Sequence, residues 1–196
     1  MPRQESKLYN AAMRIAILGG SFDPPHMGHV KIAESVISQL KFDQVWFMPC
    51  FAHAFGKKLS SPQHRLAMTE LLETKTVRAS DFEIQKGGIS ISHETLLDLA
   101  QLHPYHNFSW IIGSDQIVDF PKWEGWQEII QKFGLVIVQR DLLNPSTLEG
   151  ATFFQSDDIP NISSTEIREK VKKGESITDL VPTKVEEYII KHKLYI

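Results

Sequence analysis

The sequence has little of what marks a secreted, membrane or nucleic-acid-binding protein. Its single cysteine, Cys50, excludes an internal disulfide and a multi-cysteine zinc site. No apolar run approaches the ~20 residues that span a bilayer, and the opening MPRQESKLYNAA lacks the apolar centre of a signal peptide. A formal net charge of −3 gives no overall basic excess for a polyanion. We therefore expect a cytoplasmic protein that binds neither membrane nor nucleic acid.

The chain is long enough for one domain with a substantial core. It has 196 residues, of which 42% are hydrophobic, and no repeat, low-complexity tract or linker divides it. Met13 can itself serve as a start residue. We therefore expect residues 1–12 to be an extension with no part in the fold, ordered or not, and residues 13–196 to form the domain.

Short apolar runs alternate with helical patterns along the chain. Five runs and a weaker sixth predict buried strands: Arg14–Leu18, Gln44–Met48, Val77–Phe82, Phe108–Ile112, Leu135–Val138 and Ala151–Gln155. Apolar spacing and capping residues predict five helices: Val30–Leu40, one opened by Ser61-Pro62, Ser92–Leu102, Ser164–Lys173 and Thr183–Lys193. This order predicts an α/β fold, a doubly wound (Rossmann-like) parallel sheet in a single domain with helices at its C-terminal end.

The segment GGSFDPPHMGH, from Gly19 to His29, follows the first predicted strand, where doubly wound sheets bind ligands. Gly19 and Gly20 let the backbone approach a ligand, and the start of the following helix favours phosphate. His26 and His29 would share one face of the first helical turn and donate hydrogen bonds to phosphate oxygens. Because the segment is neither G-x-G-x-x-G nor a Walker loop, a redox dinucleotide enzyme is disfavoured.

Two plainer interpretations of this segment stay open from the residues alone. An isolated H-x-x-H pair is more often two surface histidines in a strand-to-helix loop. A zinc site would need further ligands, and no recognised zinc spacing joins the pair to His53 and Cys50. The whole string is much more specific than its two histidines.

Several segments together resemble one family of enzymes. GSFDPPHMGH resembles the signature of the nucleotidylyltransferase superfamily, and ISSTEIR, at Ile162–Arg168, is similar to its second ATP motif. The segments WIIGSDQIVDFPKWEGWQEI (Trp110–Ile129), HRLAM (His64–Met68) and EEYIIKHKLY resemble the nicotinate (nicotinamide) mononucleotide adenylyltransferases. The match runs from Arg14 onward in order and spacing, which implies a nucleotidylyltransferase domain over residues 13–196.

The resemblance implies that AMP passes from ATP to nicotinate mononucleotide, giving deamido-NAD and pyrophosphate in NAD biosynthesis. The mononucleotide phosphate would attack the α-phosphorus in line without a covalent intermediate, so catalysis would rest on positioning and charge stabilisation. Mg²⁺ would be carried by the phosphates of ATP, with no metal ligands from the protein. The implied partners are ATP and nicotinate mononucleotide, and a homo-oligomer is left open.

Carried onto this sequence, the resemblance implies three groups of residues, of which the first two overlap. Those predicted to be catalytic are His26, His29 and Arg168, with His29 as the main transition-state contact. Those predicted to bind ATP are Gly19, Gly20, Ser21, Phe22, His26, His29, Ser163, Ser164 and Arg168. Those predicted to bind the mononucleotide are Asp115, Trp123, Lys57 and Thr95. Trp123 would stack on the pyridine ring, and Asp115 would bind a ribose hydroxyl or help to place the metal.

Several of these residues have a structural alternative. Ser163 has the position of a helix cap, and Asp115 that of a turn residue. Trp123 is of a type that more often packs in the core. Lys57, its neighbour Lys58 and the strand-end Arg140 are each more often solvated charges.

Two segments depart from the family pattern and leave the acceptor open. The loop HAFGKK stands where bacterial nicotinate enzymes often have P-P-H-K, and it resembles enzymes that also accept nicotinamide mononucleotide. The family's S-Y-T-x-x-T-L segment is here Ser90–Leu96, SISHETL, without the aromatic residue. The alternatives are therefore a dual-specificity or nicotinamide enzyme and, ranked lower, a phosphopantetheine adenylyltransferase or a non-catalytic nucleotide-binding regulator.

Overall fold

The computed structural model describes residues 11–52, 56, 58–139, 148–156 and 158–196. Its strands are β1 (Arg14–Gly20), β2 (Gln44–Pro49), β3 (Val77–Ala79), β4 (Asn107–Gly113), β5 (Leu135–Gln139) and β6 (Thr152–Gln155). Its helices are α1 (Met27–Leu40), α2 (Pro62–Glu70), α3 (Phe82–Lys86), α4 (Ser92–Leu102), α5 (Trp126–Glu128), α6 (Ser164–Lys172) and α7 (Thr183–His192). Between β4 and β5 the chain also forms 3-10 turns at Ser114–Gln116 and Phe120–Lys122 and a π-helical turn at Ile129–Phe133.

All neighbouring strands of the sheet are parallel, in the order β3-β2-β1-β4-β5-β6. The chain runs outward from β1 to β3 and then crosses back to place β4 on the other side of β1. The strand order therefore reverses between β1 and β4, and the carboxyl ends of these two strands border a crevice. The predicted doubly wound α/β fold is confirmed.

Both faces of the sheet are buried, as the alternation of side chains along β1 shows. Ala16 and Leu18 belong to a core that packs beneath α1, α6 and α7, whereas Ile15 and Ile17 belong to a second core beneath α4 and the β4–β5 segment. All four side chains are buried. Helical layers on both faces leave the strand ends as the place where the sheet meets a ligand.

The third predicted strand was too long. β3 ends at Ala79, and Asp81 instead occupies the position before α3, a helix that the sequence did not predict. The Ser80 hydroxyl accepts a hydrogen bond from the Phe82 N–H at 3.4 Å. Short polar side chains that bond the local backbone in this way compete with a strand ladder. The first helix also begins earlier than predicted, at Met27 rather than Val30.

The described residues begin at Ala11, and the division into an extension over residues 1–12 and a domain over residues 13–196 stays a prediction. Residues 1–10 of the predicted extension lie outside the described residues, and Ala11 and Ala12 are exposed. Met13 packs against the second core, and its carbonyl oxygen accepts a hydrogen bond of 2.8 Å from the Asn107 N–H. None of the helices in the described ranges is long and apolar enough to cross a membrane.

Candidate active site

An open cleft of about 490 Å³ lies at the carboxyl ends of β1 and β4. Its walls are the turn after β1, the first turn of α1, the end of β4 and the first turn of α6. Every residue predicted to bind ATP lines this cleft: Gly19, Gly20, Ser21, Phe22, His26, His29, Ser163, Ser164 and Arg168. The fold therefore brings the two distant ATP-like motifs to one place, while their binding of ATP stays a prediction.

The charges at this cleft favour an anion. Arg168 and Lys58 contribute cationic groups to its wall, and no acidic side chain occurs among the described residues that line it. The first turn of α1 also carries no acidic residue. Because the first turn of α1 has no acidic residue to offset the positive end of the helix dipole, this helix start favours phosphate.

His26 and His29 lie side by side at the start of α1. Their ring centroids are 3.8 Å apart, and the His26 N–H donates a hydrogen bond of 3.1 Å to Nδ1 of His29. Because Nδ1 accepts this bond, a neutral His29 ring carries its proton on Nε2, which makes Nε2 a donor. The local hydrogen bond thus sets the tautomer of the histidine that we predict to contact the transition state.

Phe22 supports the histidine pair from below. It is 1% exposed, and its ring centroid is 4.8 Å from that of His29 and 5.4 Å from that of Phe47 on β2. The sequence placed Phe22 among the ATP-binding residues. The structure makes its ring part of the cleft floor and of the core at the same time.

Two side chains of α6 join the second motif directly to the first. The Ser164 hydroxyl donates to the Pro24 carbonyl oxygen at 2.8 Å, and Nη1 of Arg168 donates to the Asp23 carbonyl oxygen at 2.7 Å. Ser163 caps α6, since its hydroxyl accepts from the Glu166 N–H at 3.1 Å. The capping alternative for Ser163 is therefore confirmed, and a capped helix start beside the cleft remains suited to an anion.

Arg65 braces the turn after β1 from inside the protein. It is 0% exposed and donates to the carbonyl oxygens of Ser60 at 3.0 Å, Ser21 at 2.9 Å and Phe51 at 2.9 Å. A buried guanidinium is costly unless it is hydrogen-bonded, and here each of its three nitrogens donates to a carbonyl oxygen. Arg65 therefore ties the turn after β1 to the loop that follows β2.

The residues predicted to bind the mononucleotide are not gathered in this cleft. Trp123 is half-buried and packs on Phe120, with ring centroids 5.3 Å apart, and Asp115 is exposed in the turn after β4. Thr95 is 1% exposed, and its hydroxyl donates to Glu83 at 2.8 Å, so that bond occupies the group predicted to face the substrate. Lys57 lies outside the described residues.

A link that the sequence did not predict joins the SISHETL segment to the segment that carries Trp123. Nε2 of His93 donates to Oε2 of Glu128 at 2.7 Å, and Nζ of Lys132 donates to the other oxygen at 3.2 Å. The hydrogen bond from His93, and to a smaller extent the one from Lys132, lowers the pKa of the Glu128 carboxyl. The His93 ring fills the space over Gly125, where φ is +66° and a Cβ would overlap it. Gly125 is thus required by both its conformation and its neighbour.

Comparison with known proteins agrees with the motifs. Residues 17–170 match the cytidylyltransferase-like family model. A probable nicotinate-nucleotide adenylyltransferase of Shewanella pealeana is 34% identical, over 93% of this chain and 96% of its own length. A protein of the same name from Methylacidiphilum infernorum is 36% identical, over 94% and 93%. The chain belongs to the nicotinate-nucleotide adenylyltransferases of the cytidylyltransferase-like family.

A solved structure of the same family shares the fold. The Plasmodium falciparum nicotinic acid mononucleotide adenylyltransferase complexed with NaAD has a TM-score of 0.79 and 23% identity, over 93% of this chain and 97% of that one. The same protein complexed with APC has a TM-score of 0.76. At this level of identity the likeness speaks for the arrangement of strands and helices.

Three side chains beside the cleft make hydrogen bonds that the motifs did not predict. Asp23, Arg65 and Tyr195 are all within or beside segments that resemble the family, yet each acts through hydrogen bonds to residues distant in sequence. Two features of the sequence were available as signals: an arginine directly before the apolar residues Leu66–Met68, and an aspartate between an aromatic residue and a proline. Neither pattern predicts its partner.

Proposed function

We propose that this chain transfers AMP from ATP to nicotinate mononucleotide, releasing pyrophosphate and forming deamido-NAD. The observation that carries the proposal is one cleft in which the starts of α1 and α6, two histidines and Arg168 converge, with no acidic side chain among its described lining residues. Such a surface suits a polyphosphate. The names and coverage of the relatives support a nicotinate acceptor.

The chemistry that this cleft suits is a direct displacement. The mononucleotide phosphate attacks the α-phosphorus in line, a new P–O bond forms, and the bond to the β-phosphate breaks as pyrophosphate leaves. His29, through Nε2, and Arg168, through its guanidinium, offset the charge that develops on the phosphoryl oxygens. His26 and the first turn of α1 hold the triphosphate, so that positioning supplies much of the rate enhancement.

The residues at the cleft fit a Mg²⁺ ion that arrives with ATP. In the described part of the chain, no three His, Cys, Asp or Glu side chains cluster as metal ligands would. The polar side chains among the described lining residues are hydroxyls, imidazoles, the Gln116 amide and the cationic groups of Lys58 and Arg168, with no carboxylate among them. Mg²⁺ in nucleotide sites takes most of its ligands from phosphate oxygens and water, and when bound it would neutralise polyphosphate charge.

The acceptor site is proposed beside Trp123. Its ring, held against Phe120, offers a flat face for the pyridine, and the His93–Glu128 bond fixes the segment that carries it. The choice between acid and amide depends on whether main-chain N–H donors or carbonyl acceptors meet the pyridine substituent.

A panel of acceptors tests the proposal. The purified chain is incubated with ATP and Mg²⁺, and pyrophosphate release is followed with nicotinate mononucleotide, nicotinamide mononucleotide or phosphopantetheine. We expect release with nicotinate mononucleotide at the highest kcat/KM. Equal rates with both pyridines would indicate a dual-specificity enzyme. Release with phosphopantetheine alone, or with no acceptor, would reject the proposal in favour of the sister enzyme or a regulator.

A further inference from the structure

The Asp23 carboxylate is buried beneath the turn that carries the histidines, although no step of the proposed reaction uses it. It is 2% exposed. Its Oδ1 accepts a hydrogen bond of 2.7 Å from the Tyr195 hydroxyl, and its Oδ2 accepts one of 3.0 Å from the Ser60 N–H. Burying a carboxylate is costly unless its oxygens are hydrogen-bonded. These two donors therefore decide where Asp23 lies.

Tyr195 is brought to Asp23 by the segment that follows α7. This segment turns at Lys193 and again at Tyr195, where φ is 51° and 67°. Such left-handed values are uncommon for residues other than glycine and persist where the surroundings hold them. The Tyr195 ring packs against the first core. Burial, with the nearby Asp23 charge, raises the pKa of the Tyr195 hydroxyl, which therefore stays protonated and able to donate.

The Asp23–Pro24 turn is the point where the second motif meets the first. The main-chain oxygen of Asp23 accepts from Arg168, and that of Pro24 accepts from Ser164. His26, the residue before α1, follows two positions later. A shift of Asp23 would therefore move the arginine contact and the start of α1 together.

We propose that Tyr195 is a positioning residue for adenylyl transfer, which through Asp23 sets Arg168 and the start of α1 against the phosphates of ATP. The proposal rests on the proposed function, because it takes the phosphates as the ligand of Arg168 and α1. It also gives a role to the EEYIIKHKLY segment, which the reaction itself leaves unexplained.

Tyr195→Phe tests the proposal, because it keeps the packed ring and removes only the donor. Tyr188→Phe is the matched control. Tyr188 also has a hydrogen-bonded hydroxyl, 3.0 Å from Nδ1 of His64, but it lies on α7 and its partner is on α2 rather than at the Asp23–Pro24 turn. We expect Tyr195→Phe to lower kcat/KM for ATP about tenfold, equal to about 1.4 kcal/mol, with KM for the mononucleotide nearly unchanged. Tyr188→Phe should keep the kinetics of the natural chain.

The affinity for ATP gives a readout that needs no turnover. Calorimetric titration with ATP and Mg²⁺, without acceptor, should show an increase in Kd of about tenfold for Tyr195→Phe and no change for Tyr188→Phe. If the natural chain binds ATP but releases no pyrophosphate, the proposed function fails while this measurement still tests the role of Tyr195. An unchanged Kd for Tyr195→Phe would overturn the positioning role.

A double-mutant cycle asks whether Tyr195 acts through Asp23. If it does, Tyr195→Phe added to Asp23→Asn should weaken ATP binding no further than Asp23→Asn alone. Additive losses would overturn the route through Asp23. An equal loss of kcat/KM for ATP and for the mononucleotide in Tyr195→Phe would overturn the positioning role, because general destabilisation of the protein gives that result. Should Asp23→Asn not fold, the single Tyr195→Phe variant and its control still decide the outcome.

Discussion

Gly19→Ala should destabilise the fold, because the side chain of Trp110 already occupies the space that a Cβ would need. A Cβ at Gly19 would lie 2.9 Å from Cη2 of Trp110 and closer still to Cζ2, whereas carbon atoms in ordinary contact are about 3.5–4.0 Å apart. Trp110 is 3% exposed and has little room to move. The backbone at Gly19 is not in the left-handed region, so the cost is steric.

Gly20→Ala is the control for this prediction. A Cβ there would lie 3.4 Å from the nearest atom of Phe22, close to an ordinary contact. Both variants restrict the unfolded chain equally, which stabilises by about 0.4–1 kcal/mol. The difference between them therefore isolates the overlap with Trp110, which should cost about 1–3 kcal/mol. For a chain of this size each kcal/mol lowers Tm by roughly 2–4 °C.

Thermal and urea unfolding of the two variants provide the measurement. We expect the Tm of Gly19→Ala to be below that of Gly20→Ala by roughly 2–12 °C. Trp110→Phe, which puts a smaller ring beside residue 19, should restore part of the stability lost in Gly19→Ala. The double variant Gly19→Ala/Trp110→Phe should therefore be more stable than the sum of the two single changes indicates. Equal stabilities for the two alanine variants, or additive effects in the cycle, would refute the reasoning.

Three further predictions concern catalysis, binding and pH. His29→Ala should lower kcat by about 100-fold with a smaller change in KM. His29→Asn should do the same, although its Oδ1 can still accept the hydrogen bond from the His26 N–H. A near-normal kcat in steady-state kinetics would show that His29 does not contact the transition state. Trp123→Ala should raise KM for the mononucleotide more than KM for ATP, and an equal rise in both would argue against stacking. Burial raises the pKa of the Glu83 carboxyl, so the stability that it contributes is complete below its unfolded pKa and is lost as pH rises through the folded pKa. The free energy of unfolding, measured with urea from about pH 4 to pH 8, should therefore fall less with pH in Glu83→Gln than in the natural chain. An unchanged pH dependence in Glu83→Gln would contradict this role of Glu83.

Most of the fold could be predicted from the sequence because the patterns that indicate strands and helix caps are local. Alternation along β1 sends Ile15 and Ile17 to one face and Ala16 and Leu18 to the other, and a period of two is readable without knowing any partner. Ser163 likewise caps α6 through a residue three positions away. The predicted β3 was too long because the Ser80 hydroxyl bonds the local backbone at Phe82 and Asp81 precedes α3. A count of apolar residues does not detect this competition between side chain and strand ladder.

The site was predictable where a motif holds its own backbone, and not where a contact spans the chain. The turn after β1 and the start of α6 reach one cleft, as the resemblance implied. The Tyr195–Asp23 bond joins residues 172 positions apart, and nothing in either local pattern selects the other. Thr95 shows the converse: its place in the family segment suggested a substrate contact, but burial gives its hydroxyl to Glu83.

The central claim is that this cleft joins AMP from ATP to nicotinate mononucleotide. The most direct measurement is the identity and amount of product after incubation of the purified chain with both substrates and Mg²⁺, by mass spectrometry alongside a pyrophosphate assay. We predict deamido-NAD and pyrophosphate in equal amounts. When the ATP is labelled at its α-phosphorus, we predict that the label is recovered in the dinucleotide. Labelled AMP without dinucleotide, or no consumption of ATP, would contradict the account.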